Sequence, residues 1–128
     1  MSAATSAPTL MELASRYVDV GSLDWTATGQ AGVDWKILFK DEARGLMTAL
    51  VRFTPGASLD LHEHTDIEQT YMLEGSLVDA EGACLPGDFV WRPKGSRHRA
   101  WAPDGALMLS VFLSPNLFLE GPKAAGGL

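Results

Sequence analysis

After residue 20, no stretch of this chain carries a helical apolar period long enough for a helix that crosses between parallel strands. A train of short segments follows instead: VDWKILF, GLMTALVRFT, LDLHEH, EQTYMLEG, SLVDA, DFVWRP, HRAWA and ALMLSVFLS. Each has about the length of an ordinary strand, roughly 5 to 8 residues. Between them stand DEARG, TPGA, EGS, AEGA, LPGD, PKGS and APDG. These are turn sequences, because glycine reaches positive φ without strain and proline presets the turn dihedral. Regularly spaced strands without crossover helices pair as hairpins and returns, so the chain is predicted to be all-β, a sandwich or a closed barrel.

The N-terminal part reads differently. MSAATSAP is small, polar and proline-ended, the composition of a tail, and TLMELASRY then predicts a short helix. Thr9 is placed as its N-cap and Glu12 three residues on completes a capping box, while Leu10, Leu13 and Ala14 share one face. GSLDWTATGQAG is read as a loop and GPKAAGGL as a flexible end. Residues 1–20 are therefore expected to hold a tail and short helix, 21–120 the barrel, and 121–128 a second tail.

With 128 residues, 46% hydrophobic and 20% charged, the chain is expected to be one soluble domain. A net charge of -6 without a lysine or arginine cluster argues against a nucleic-acid partner. No apolar run approaches membrane-spanning length, and MSAATSAPTL has neither the charge nor the apolar core of a secretory signal. Cys84 is alone and cannot form an internal disulfide. A cytoplasmic protein acting on a small molecule is the expectation.

Histidine usage is the chemical signal. The chain has three histidines, and two of them, His62 and His64, are two residues apart in a predicted strand. Alternate strand residues share a face, so these imidazoles project together while Leu61 and Glu63 face the other way. Glu68 follows across the brief TDI loop, where a hairpin can return it beside them, and His98 comes after PKGSR. Neutral imidazoles with one carboxylate suit Fe(II), Mn(II), Ni(II) or Zn(II), and four protein ligands on an octahedral ion leave room for water, substrate or dioxygen. A lone histidine in a strand is usually surface or hydrogen-bonded core. Here all three fall in two short segments with shared turn punctuation.

The spacing Gly56-x5-His62-x-His64-x3-Glu68-x6-Gly75 resembles the first cupin motif at every position. Gly87, Pro93, Gly95 and His98 resemble the second, with Ala102 where that motif ends in Asn. The resemblance implies a double-stranded β-helix, or jelly-roll, barrel holding one divalent ion through His62, His64, Glu68 and His98. More narrowly, AGVDWKILFKDEARGLMTALVRFTPGA before H-x-H, and MLSVFLSPNLFLEG at the end, resemble the acetylacetone-cleaving (β-diketone) dioxygenases. The first stretch equally resembles the zinc-binding cupin domain of anti-sigma factors. The diketone enzymes bind non-haem Fe(II) through three histidines without a carboxylate, so Glu68 departs from their pattern, and Ala80 and Arg92 stand where their polar pocket groups would be.

These resemblances imply three functions: an Fe(II) dioxygenase cleaving a small chelating β-diketone or hydroxyketone, a zinc-binding sensory cupin, or a metal-assisted isomerase or hydrolase. In the first, Glu68 can also serve as catalytic base. Strand parity places Thr70 and Met72 on the Glu68 face, and the resemblance places Met108, Ser110 and Phe112 beside the metal. Trp91 and Trp101 flank the His98 turn and are expected either to wall the entrance or to sit in the core. Arg92 is read as a contact for an anionic or enolate substrate, or as a surface ion pair. Cys84 and Glu81 are placed on a hairpin tip, without a catalytic role. A homodimer is expected, with YVDV adding a strand to a neighbouring sheet.

Overall fold

The computed structural model describes residues 9–122. Eleven strands follow in chain order: β1 (Thr26–Ala27), β2 (Val33–Asp41), β3 (Leu46–Phe53), β4 (Ser58–Glu63), β5 (Glu68–Gly75), β6 (Leu77–Asp79), β7 (Gly82–Cys84), β8 (Phe89–Arg92), β9 (Arg97–Trp101), β10 (Ala106–Phe112) and β11 (Leu117–Phe118). They form a six-stranded sheet ordered β1-β2-β3-β10-β5-β8 and a five-stranded sheet ordered β11-β4-β9-β6-β7. All pairings are antiparallel. Successive strands change sheet after β3, β4 and β5, as a jelly roll requires. Among the described residues no helix is long and apolar enough to cross a membrane.

Side-chain alternation builds the interior. In β3 and β10 every second residue is buried, which turns Met47, Ala49, Val51 and Phe53 inward, with Ala106, Met108, Ser110 and Phe112 facing them from the next strand. The remaining core comes from Val33, Trp35, Met72, Leu77, Cys84, Ala100 and Ala102. Gly75 ends β5 at φ +75°, where an added Cβ would collide with the carbonyl of Gly105, so only glycine lets these two turns approach.

The predicted N-terminal helix does not form. The capping box is present, with Glu12 N–H donating to the Thr9 hydroxyl and Thr9 N–H to the Glu12 carboxylate, but only one turn follows. Leu10, Met11 and Leu13 are 88, 84 and 65% exposed and are covered by none of the described residues. A single turn without a buried face does not repay helix nucleation. The chain's only helical element among the described residues is a 3-10 turn at Val20–Ser22. The tail readings for residues 1–8 and 123–128 lie outside the described residues.

Three short strands escape the sequence reading: β1, β7 and β11. Each is two or three residues long and pairs at a sheet edge, too brief to show alternation. Because β7 forms, Cys84 is not at a hairpin tip. It pairs with Leu77 and is buried, with its thiol pushed up by burial and by Asp88.

Candidate metal centre

Two adjacent strands of the five-stranded sheet deliver the histidines. His62 on β4 lies directly opposite His98 on β9, and their rings are 4.6 Å apart between centroids. Just beyond β4, His64 is pinned on both sides by the PKGS turn: its N–H donates to Ser96 O at 2.9 Å, and Gly95 N–H donates to His64 O at 2.7 Å. Gly95 takes φ +88°, which makes the tight turn available. The same turn therefore holds His64 and leads into the strand that carries His98. The outward Glu63 meets Arg97 at 2.9 Å on the surface.

Each imidazole has one nitrogen engaged behind it. His62 Nδ1–H donates to Asp60 O at 2.8 Å, His98 Nδ1–H to the Asp79 carboxylate at 2.8 Å, and His64 Nδ1–H to Ser96 O and Oγ at 3.1 and 2.9 Å. That tautomer leaves a lone pair on every Nε2. The ligand atoms of the three rings lie within 4.8 Å of one another. His64 Nε2 is fully buried without a hydrogen-bond partner, an arrangement that costs free energy unless something else fills the role. An ion would do so, and three converging neutral nitrogens fit a divalent transition metal.

The electrostatics agree. Burial, then the neighbouring His98 and Arg92, lower His62 to about 4 against its backbone bond to Asp60. Burial, then His62 and His98, lower His64 to about 3. Burial also lowers His98, against the pull of Asp79. All three are neutral donors at physiological pH. Glu68 opens β5 with its Oε1 3.9 Å from His64 Nε2, a gap that one ion can bridge with two bonds of about 2.0–2.2 Å. Burial raises its carboxyl to about 7, against the hydrogen bond from Asn116 Nδ2 at 3.2 Å and the charge of Arg92.

The pocket residues divide. A cavity of about 30 Å³ inside the barrel is lined by His62, Glu68, His98, Met108, Ser110 and Phe112 among others. Thr70 and Met72 face inward as parity predicts but are core residues outside this lining, and the Thr70 hydroxyl bonds Ser110 at 2.9 Å. Trp91 and Trp101 neither wall an entrance nor join the core: they lie on outer sheet faces, 56 and 49% exposed. Parity explains this, since Trp91 neighbours inward Arg92 and Trp101 is an odd step from His98. Arg92 is no surface pair. It is nearly buried and donates to Asp79 at 2.7 Å, beneath the His98 ring.

Asp79, Ser96 and Asn116 are the supporting residues that sequence reasoning missed. Ser96 falls inside the second motif at a position the motif leaves open, and Asp79 and Asn116 lie outside both motifs, so none of the three carries a spacing signal. Asp79 is the most heavily used: one oxygen accepts from His98 and Arg92, the other from the N–H groups of Glu81 and Gly82. Burial would raise its pKa, but these donors hold it below the usual carboxylate range. Asparagine there offers one oxygen in place of two. With that oxygen held by the turn, its NH₂ faces His98 and forces the proton onto Nε2. Asp79→Asn is therefore expected to weaken metal affinity by roughly 10- to 100-fold, measured by competition with a chromophoric chelator.

A two-sheet jelly-roll barrel with inward histidines from the H-x-H strand and the following Pro-Gly turn defines a cupin. The chain belongs, more narrowly, to the ChrR cupin-like domain family, whose sequence model matches residues 13–116. Among solved structures, an acetylacetone dioxygenase from Acinetobacter johnsonii superposes with TM-score 0.81 at 17% identity, over 100% of this chain and 91% of that one. A cupin-like protein from Ralstonia eutropha gives 0.67 at 26% identity, over 75% of this chain and 64% of that one. The Rhodobacter sphaeroides complex of SigE with the anti-sigma ChrR gives 0.63 at 21%, over 73% and 50%. This chain thus spans 64% of the Ralstonia protein and half of the matched chain in the SigE–ChrR complex. No curated protein sequence matches the chain.

Proposed function

We propose that this cupin is a non-haem Fe(II) dioxygenase that cleaves a small chelating β-diketone or hydroxyketone. The observation carrying this reading is the orphaned His64 Nε2 facing two other free imidazole nitrogens beside a carboxyl whose pKa is about 7. Bound Fe(II) would acidify a chelated dicarbonyl and supply electrons to dioxygen. His62, His64 and His98 would hold the ion through neutral nitrogens, which favours a substrate that binds as an anion. Glu68 would complete the ligand set or, when not bound to the ion, accept a proton from the substrate. Met108 and Phe112 give the cavity beside the histidines an apolar wall.

Iron-loaded protein is expected to consume oxygen in step with cleavage of pentane-2,4-dione or a related compound, read with an oxygen electrode and product chromatography. Turnover under strictly anaerobic conditions would instead assign an isomerase or hydrolase. One observation favours a second reading. The cavity, at about 30 Å³, accommodates water but not a diketone unless side chains such as Met108 and Phe112 move. A zinc-binding cupin with a sensory role needs no larger space. Zinc in protein purified without chelator, with no oxygen uptake after iron loading across a diketone panel, would replace the first reading with the second.

A further inference from the structure

Strict alternation does not account for β4. Leu59 faces the barrel interior opposite Ala100, and His62 faces it opposite His98, yet three steps along a regular strand reverse the face. The register resolves the conflict. From Leu59 to His62 the chain advances three residues, while its partner β9 advances only two, from Ala100 to His98. Asp60 and Leu61 therefore stand together against Arg99, as a β-bulge. Because one residue of slip exchanges the two faces of a strand, this extra residue turns the histidines inward. In a regular strand anchored by Leu59, His62 and His64 would point outward, to the face where Glu63 now meets Arg97.

A bulge disrupts the ladder locally, so its backbone groups need other partners. Asp60 O accepts from His62 Nδ1–H at 2.8 Å, and Leu61 O accepts from Leu119 N–H at 2.8 Å. Asp60 N–H donates to Gln30 Oε1 and Leu61 N–H to Glu120 Oε1, each at 3.3 Å. Gln30 is buried in the turn between β1 and β2, and among the described residues its side chain makes no other hydrogen bond. Glu120 follows β11 and is itself held by two bonds from Arg99, at 2.6 and 2.7 Å. Phe118, on β11, lies 5.1 Å from the His62 ring. Gly121 closes so tightly on the Asp60 side chain that an added Cβ would collide with its carboxylate. The bulge is gripped from both ends of the barrel sequence.

We propose that the bulge at Asp60–Leu61 aims the H-x-H pair at the metal and fixes the His62 tautomer, and that Gln30 and Glu120, by accepting its two N–H groups, are positioning residues for the metal centre. The proposal rests on the metal-centre reading but on neither iron nor dioxygen. Leu61 N–H and Asp60 C=O belong to one planar peptide, so the acceptor on Glu120 sets the direction of the carbonyl that receives His62. Gln30 holds the peptide before it. With that carbonyl aimed at Nδ1–H, the lone pair stays on Nε2, where a ligand atom is needed.

Two-bond proton–nitrogen correlation spectra of the imidazoles in the metal-free protein at pH 8 read the tautomers, with His62 assigned as the signal absent from His62→Ala. Wild type is expected to show His62 as the Nδ1–H form alone, and Gln30→Leu and Glu120→Ala a mixture of tautomers. Glu120→Gln, which keeps an oxygen for Leu61 N–H, is expected to retain the single form. Gln30→Leu and Glu120→Ala are also expected to bind Zn(II) about tenfold more weakly in chelator competition, the lower end of the range for groups behind a ligating histidine. Glu63→Ala, which removes an ion pair of the same strand outside the bulge, is expected to bind as wild type does. His62 in the Nε2–H form in wild type overturns the proposal. So do Gln30→Leu and Glu120→Ala proteins that melt lower while tautomer and affinity stay unchanged. A wild type that binds no Zn(II) sinks the metal-centre reading and this assignment with it, whereas wild-type binding that both variants leave intact sinks the assignment alone.

Discussion

Alanine at position 62 is expected to remove metal binding almost entirely. The three imidazoles form a near-equilateral triangle with ring centroids 4.6 to 5.0 Å apart, so the substitution removes one of the three converging nitrogens that close the site. The loss in affinity is expected to exceed the roughly 10- to 100-fold typical of removing a supporting hydrogen bond. Isothermal titration with Zn(II), and with Fe(II) under anaerobic conditions, is expected to show one ion per wild-type chain and none at the same concentrations in His62→Ala. Glu63→Ala, one residue away but facing Arg97 outside the barrel, is expected to bind as the wild type does. Retention of wild-type affinity by His62→Ala would place the ion elsewhere.

Glu68→Gln is expected to act in opposite directions on stability and on metal binding. A carboxyl raised from 4.5 to about 7 in the folded state holds its proton more tightly there than in the unfolded chain. The contribution of Glu68 to the stability of the metal-free protein therefore falls as pH rises from 4.5 to 7, by about 3 kcal/mol. Glutamine keeps the acceptor for Asn116 without the charge, so the metal-free variant is expected to melt higher than wild type at pH 8, with the difference vanishing near pH 4. The histidines work the other way. With folded values of about 4 and 3 against 6.5 unfolded, His62 and His64 lose stability as pH falls below 6.5. The variant's melting temperature is therefore expected to climb more steeply than wild type between pH 4.5 and 6.5.

Metal binding supplies the second half of that test. At pH 6 the imidazoles are already neutral, while Glu68 is mostly protonated. If the carboxylate ligates, wild type releases about one proton per ion and Glu68→Gln releases none. Calorimetry in buffers of different ionisation enthalpy reads this directly. A wild-type binding enthalpy that does not vary with buffer would leave Glu68 outside the ligand set, with three histidines holding the ion.

Much of the barrel was legible because its strands repeat a simple rule. EQTYMLEG is a strand with the bounds read from sequence, and β3 and β10 alternate cleanly between buried and half-buried residues. Where that rule was set aside, the reading failed. Trp91 and Trp101 were placed by their nearness in sequence to His98, yet their strand parity points them outward. The helix over residues 9–17 failed for a different reason. Its capping signal is local and real, but propagation needs a surface to pack on, and none of the described residues provides one.

The sequence by itself placed His62 and His64 on one face of a strand, and its resemblance to the two cupin motifs implied that His98 and Glu68 would join them. It determined too that the ligand set would be nitrogen-rich, since side-chain chemistry is local. Only the tertiary structure decided the proton state and the support of those ligands. Burial moves the histidines down and Glu68 up, and burial depends on the closure of both sheets around them. Asp79, Ser96 and Asn116 reach the site from separate strands and loops, so their roles exist only once long-range register has brought them there.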